Sequence, residues 1–228
     1  MINYLKSEKI KWKGSHAFYL ILVLSLLQLM TIPPYMMVVK TPLIVETIPF
    51  FPMLGYPVLV VIVSILVHEQ EDKANHFQNI RGEKNSAILW GVKLVVTDLL
   101  LLLPTLPLWL AVGIALKHVS YYTFIGIVNW LLLILLNHLH MLLSLLVGKG
   151  GNLLVAFVES LLILFATNKV FLNIFWLPVA LPVNAIIEYN SESIKVYLLV
   201  LLVDIVVLFL MNLLILAKQK YGNDVNKI

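Results

Sequence analysis

From Ala17 to Val39 the chain carries no charged side chain, and the same holds from Leu99 to Leu116 and, histidines aside, from Val119 to Val147. Runs of this length constrain the fold more than any other feature. A helix crossing the hydrocarbon core of a bilayer needs about 20 predominantly apolar residues, and it satisfies its own backbone hydrogen bonds there. Composition agrees: 61% of the 228 residues are hydrophobic, 12% are charged, and the mean hydropathy is +0.97. A soluble domain is about half apolar and about a quarter charged. The surface of this chain is built for lipid, and the expected class is an all-α integral membrane protein forming one transmembrane domain over 1–228.

Six spans are expected. The first covers 17–39, with Pro33-Pro34 near its outer end. The second covers 54–67, with a Pro-rich entry in front of it. The third covers 87–116, too long for one straight span and kinked at Pro104 and Pro107. The others cover 121–147, 153–167 and 196–217, with "GKGGN" at 148–152 as a tight turn. The stretch 168–195 is apolar but broken by Pro178 and Pro182, and reads as an outer re-entrant or amphipathic segment packed on protein. The N-terminal "MINYLKSEKIKWKGSHAFYL" has a basic start, but the apolar run behind it is longer than a signal-peptide core and has no small-residue cleavage site. It reads as a retained first span.

Charge sets the orientation. With a cytoplasmic N-terminus and six spans, Lys6, Lys9, Lys11, Lys13, Lys73, Arg81, Lys84, Lys93, Lys149, Lys218, Lys220 and Lys227 lie inside. Lys40, Lys117, Lys169 and Lys195 lie outside. The excess is inside, as cytoplasmic loops require, so both termini are expected in the cytoplasm. The net charge of +4 therefore needs no nucleic-acid partner. Segment 1–16 is either an amphipathic helix on the inner membrane surface or a plain set of basic anchors.

Several chemistries are excluded. There is no cysteine, hence no disulfide and no thiolate metal site. There is no Gly-x4-Gly-Lys-Ser/Thr loop to hold nucleotide phosphates, so no ATP hydrolysis and no cofactor is expected in this chain. His68-Glu69 lacks the second histidine that a zinc helix needs four residues on; position 72 is Asp. His138 and His140 point about 200° apart on a helix, so no metal site is expected. Asp98, Glu159 and Asp204 fall within or near spans, where a carboxylate is costly. Each is a candidate for transport, or for an interhelical hydrogen bond; Lys93 is a possible partner for Asp98.

The densest polar stretch is "VHEQEDKANHFQNIRGEKNSAILW", 67–90, between the second and third spans. It has helix signals from Val67 to Ile80, acids at its start and bases at its end. Phe77 is its one large apolar side chain in a polar setting, an aromatic of the type that fills a partner's groove.

Here "EDKANHFQNI" resembles a motif of permease subunits in type-2 bacterial ABC exporters, above all those giving self-immunity to lantibiotics. Glu71, Ala74, Phe77, Gln78 and Asn79 match it; Asn75 departs from it. Lys93, the acidic-basic N-terminus and "WLPVALP" at 176–182 are also similar to that family. The resemblance implies a bacterial plasma-membrane permease that pairs with a second permease and two copies of an ATPase, with ATP and Mg²⁺ bound on the ATPase. It implies that 68–86 is the coupling helix, with Phe77 as docking knob and Glu69, Glu71, Ala74, Gln78, Asn79 and Arg81 around it. The implied cargo is a cationic antimicrobial peptide expelled from the membrane. Two alternatives stand beside it: an ABC permease for a small antibiotic, sodium or a lipid, and an intramembrane hydrolase using His68, Glu69, His138 or His140.

Overall fold

The computed structural model describes residues 2–39, 41–73 and 86–225. Among them the helices are α1 (Ile2–Trp12), α2 (His16–Val38), α3 (Pro42–Thr47), α4 (Phe51–Lys73), α5 (Ser86–Leu100), α6 (Leu106–Leu116), α7 (Val119–Leu146), α8 (Gly148–Thr167), α9 (Leu181–Ile187) and α10 (Ile194–Val225). Short 3-10 turns at Ile48–Phe50 and Pro178–Ala180 lead into α4 and α9. No strand occurs among the described residues. Five helical stretches are long and apolar enough to cross a membrane: His16–Val38, Ile44–Lys73, Val119–Leu146, Gly148–Thr167 and Ile194–Ala217. The chain is a multi-pass helical membrane protein.

α7 is the central helix and packs against α4, α5, α6, α8, α9 and α10. Its buried stripe, including Ile125, Leu132, Leu136 and Met141, forms the middle of the core. α2, α8 and α10 instead turn large apolar side chains outward, such as Leu27, Phe157 and Leu199. In water such faces drive association; in a bilayer they are the solvent contact.

The expected third span breaks where its prolines predict a kink. α5 and α6 have 15 and 11 residues, which at 1.5 Å per residue makes each too short for a core of about 30 Å. Between them the backbone tightens through Leu103 N–H to Leu100, Thr105 N–H to Leu102 and Leu106 N–H to Leu102. Pro104 cannot donate, and its carbonyl accepts from Tyr56 Oη at 3.3 Å. The two pieces still run antiparallel along α7. Asn137 lies beside Asp98, Gly126 beside Leu106, and Val119 beside Gly113.

Element ends differ from the sequence reading in instructive ways. α4 starts before residue 54 and continues past 67 to Lys73, because His68–Lys73 contain nothing that stops a helix. The turn expected over 148–152 shrinks to Val147 and Gly148; Gly148 takes the left-handed φ of +72°, and Lys149 to Asn152 are already helical. Val179 to Ile186, within the segment read as re-entrant, are buried against the bundle.

Gly113 is fixed by close approach. A Cβ there would lie 3.0 Å from Val119 Cα and 3.2 Å from Tyr122 Cβ. The α6–α7 turn, capped by Lys117 at φ 61°, gives no room to retreat. Gly113→Ala is expected to destabilise the protein by about 1–3 kcal/mol, read as a lower unfolding temperature in detergent.

Candidate functional site: buried charges along the central helices

The stripe Tyr4, Glu8, Trp12 on α1 faces the bundle; Lys6, Ser7, Lys9 and Ile10 face out. The i, i+4 spacing puts these three on one side of the helix. Glu8 is therefore buried, at 0% exposure, and so are Glu71 at 1% near the end of α4 and Lys93 at 1% on α5. Lys93 Nζ donates to Glu71 Oε1 at 2.6 Å and to Glu8 Oε2 at 3.0 Å. Lys11 Nζ adds a contact to Glu71 Oε1 at 2.8 Å and lies 3.1 Å from Glu8 Oε1. Two ammonium groups meet two carboxylates, so the cluster is neutral as a whole. Burial pulls the Lys11 ammonium down, but its contacts with Glu71 and Glu8 outweigh that and hold it above the usual lysine value. The Gln70 amide donates to the Lys11 carbonyl at 3.2 Å and closes the joint between α1 and α4.

This cluster sits where α4 ends and α5 begins, at the two ends of the segment 74–85. Glu71 and Lys93 belong to the helices on either side of that segment, and α1 joins both. Glu69, by contrast, is partly exposed and pairs with Lys149 of α8 at 2.6 Å and with Lys73 at 3.7 Å.

Deeper in the bundle, α7 carries two histidines that address different neighbours. His138 Nε2 lies 3.0 Å from Asp98 Oδ2 on α5, and its Nδ1 lies 3.4 Å from the Ile205 carbonyl on α10. Asn137 Nδ2 donates to Asp98 Oδ1 at 2.7 Å. Trp130 Nε1 donates to the Asp98 carbonyl at 2.8 Å. Asn212 Nδ2 donates to the His138 carbonyl at 2.8 Å, and its Oδ1 accepts from Trp90 Nε1 at 3.3 Å.

His140 faces the other way. Its Nδ1 is 2.7 Å from Asn152 Oδ1 on α8, and its Nε2 is 2.9 Å from Glu159 Oε2, an ion-pair distance without hydrogen-bond alignment. The Asn152 amide orientation follows from its Nδ2, which donates to the His140 carbonyl at 3.0 Å. It also lies within hydrogen-bond distance of Ser64 Oγ and Ser144 Oγ. Each histidine thus stands between a carboxylate and a second oxygen; His138 joins α7 to α5 and α10, and His140 joins it to α8.

The sequence candidates separate into three groups. Asp98 and Glu159 are brought onto α7 by His138 and His140, and Lys93 joins Glu8 and Glu71 rather than Asp98. Asp204 is half-buried on α10, and its Oδ2 has no hydrogen-bond partner among the described residues. Glu71 is buried against α1 and α5, while His68 stays half-buried on α4. Ala74, Phe77, Gln78, Asn79 and Arg81 lie outside the described residues. Among the described residues, no group of three or more His, Cys, Asp or Glu side chains is placed to hold a metal ion.

Glu8, Asn137, Asn152 and Asn212 were not candidates from the sequence. Glu8 was legible in principle, as an acid on the same helical face as Tyr4 and Trp12. The asparagines were not, since an Asn inside an apolar run shows no direction. Comparison with protein-family models, curated proteins and solved structures returns no match.

Proposed function

We propose that the chain is the membrane-spanning permease subunit of a bacterial ABC exporter in the plasma membrane, expelling a cationic antimicrobial peptide and giving immunity to it. On this reading the α5–α6 pair counts as the sixth span and both termini are cytoplasmic. Segment 74–85 is the tip of the coupling helix, with Phe77 seated in the cleft of an ATPase. A second permease and two ATPase copies complete the assembly, and ATP and Mg²⁺ bind on the ATPase.

The observation that carries this reading is the position of the Glu8–Lys11–Glu71–Lys93 cluster. Lys93 and Glu71 clamp the two helices that flank 74–85 at 2.6 Å, and Glu8 adds α1 to the same clamp at 3.0 Å. A displacement applied to the segment between them reaches three helices as one unit. Asp98–His138 and Glu159–His140 then tie α5 and α8 to the central α7, so the push continues into the bundle. An isolated solvated loop needs no such anchorage.

The hydrolase alternative finds little support in the geometry. Both ring nitrogens of His140 are taken up by Asn152 and Glu159, and Ser144 donates to the His140 carbonyl at 2.8 Å.

Cells carrying this chain together with an ABC ATPase from the same genome provide the test. They are expected to survive a lantibiotic concentration that kills cells carrying the ATPase alone. Equal killing of both, across several cationic peptides, would remove the peptide-export reading.

A further inference from the structure

At the end of the bundle opposite the Glu8–Lys93 cluster, two cavities lie side by side. The first holds about 600 Å³ and is lined by Glu46 and Thr47 of α3, Phe50 and Phe51, Tyr121 in the first turn of α7, and Thr167–Lys169 at the end of α8. The second holds about 570 Å³ between α2 and α3 and is almost wholly apolar, lined by Ile32, Tyr35, Ile44 and Ile48. Thr47 and Phe51 line both. One chamber therefore carries charge and hydroxyls, and the adjoining one offers hydrocarbon contact.

The charges are opposite and unspent. Glu46 and Lys169 line the same cavity, and neither forms an ion pair among the described residues. Lys169 also holds a left-handed backbone, φ 62°, at the turn that ends α8, with its N–H on the Ala166 carbonyl at 2.9 Å. Glycine takes such a position freely and lysine rarely does. Strained positions of this kind concentrate at ligand sites, and here the strain sets an ammonium at the cavity rim.

We infer that the paired cavities bind a zwitterionic phospholipid, phosphatidylethanolamine, with the head group in the Glu46–Lys169 chamber and an acyl chain along Ile32, Ile44 and Ile48. Lys169 receives the phosphodiester, a compact anion that an ammonium suits. Glu46 receives the primary ammonium, which donates hydrogen bonds that a quaternary ammonium lacks. An anionic lipid head group meets Glu46 and a cationic peptide meets Lys169; a zwitterion satisfies both. The site lies where helix ends meet the head-group layer, and it is independent of the exporter reading.

The full-length chain in detergent, titrated with phosphatidylethanolamine, phosphatidylcholine and phosphatidylglycerol and followed by native mass spectrometry, tests this. Phosphatidylethanolamine is expected to bind most tightly. Glu46→Gln and Lys169→Met, both at exposed positions, should each weaken it about tenfold, the loss of one charge-assisted hydrogen bond. Glu46→Lys should turn the preference to phosphatidylglycerol. Ile44→Trp, which fills the apolar chamber, should weaken the long-chain lipid but not a short-chain phosphoethanolamine. Equal binding of all three lipids overturns the assignment. So does phosphatidylethanolamine binding that both charge variants leave unchanged, or a cationic peptide that competes it off and depends on Glu46 alone.

Discussion

Lys93→Met is expected to destabilise the protein by about 3–5 kcal/mol, because removing one partner leaves the other charges of a buried cluster uncompensated. Glu8 and Glu71 would face each other across the α1–α4–α5 joint, with Lys11, which is partly exposed, as the remaining cation. The unfolding temperature of the purified chain in detergent measures this. A cycle with Glu71→Gln adds discrimination. The double variant restores charge balance against the remaining Glu8–Lys11 pair and should lose less than the sum of the two single variants. Additive losses would mean that Lys93 acts through packing alone.

The second large effect is expected at His138. His138→Leu keeps an apolar side chain of similar bulk against Phe209, which packs on the His138 ring at 5.5 Å. It leaves the Asp98 carboxylate with Asn137 as its side-chain partner. A buried carboxylate left short of one hydrogen-bonding partner costs about 3 kcal/mol. On the proposed exporter reading, export should fall as well, since Asp98–His138 is one of the links from α5 to α7. Asp98→Asn combined with His138→Gln removes the carboxylate and the imidazole together while keeping hydrogen-bonding groups. It should recover most of the stability, measured by the same thermal unfolding, with export read by peptide survival. If the neutral pair also recovers export in full, the link works as a hydrogen-bonded tether. If export stays lost, the link needs the native carboxylate and imidazole rather than any hydrogen-bonded pair.

These residues show how far the sequence reaches. Lipid as the solvent was readable from charge-free runs such as 17–39, because a bilayer imposes length and apolarity on every crossing helix. The break in the third span was readable from Pro104 and Pro107, because the missing N–H acts locally. The divergence of His138 and His140 followed from helical periodicity, since two residues turn a helix by about 200°. Their partners did not follow. Which face of a Leu- and Val-rich helix meets which neighbour depends on tertiary packing, and near-uniform apolar runs carry no directional signal. For the same reason Lys93 was matched with Asp98, its near neighbour in sequence, although the structure gives it Glu8, 85 residues away. Glu8 itself was hidden among basic residues that read equally well as membrane anchors. Of the docking residues in the sequence analysis, Ala74, Phe77, Gln78, Asn79 and Arg81 lie outside the described residues, so the case for Phe77 is chemical, with the Glu71–Lys93 clamp joining the helices that flank its segment.

Phe77→Ala tests that central claim most directly. The tagged chain is produced together with an ABC ATPase from the same genome, extracted in mild detergent and purified, and the ATPase retained on it is quantified. An aromatic anchor in a partner's groove contributes about 2 kcal/mol or more, so the account predicts that the wild-type chain retains the ATPase. The Phe77→Ala chain, inserted in the membrane to the same level, should lose most of it. Equal ATPase retention by both chains would contradict the docking role of 68–86 and, with it, the coupling of the buried clamp to an ATPase.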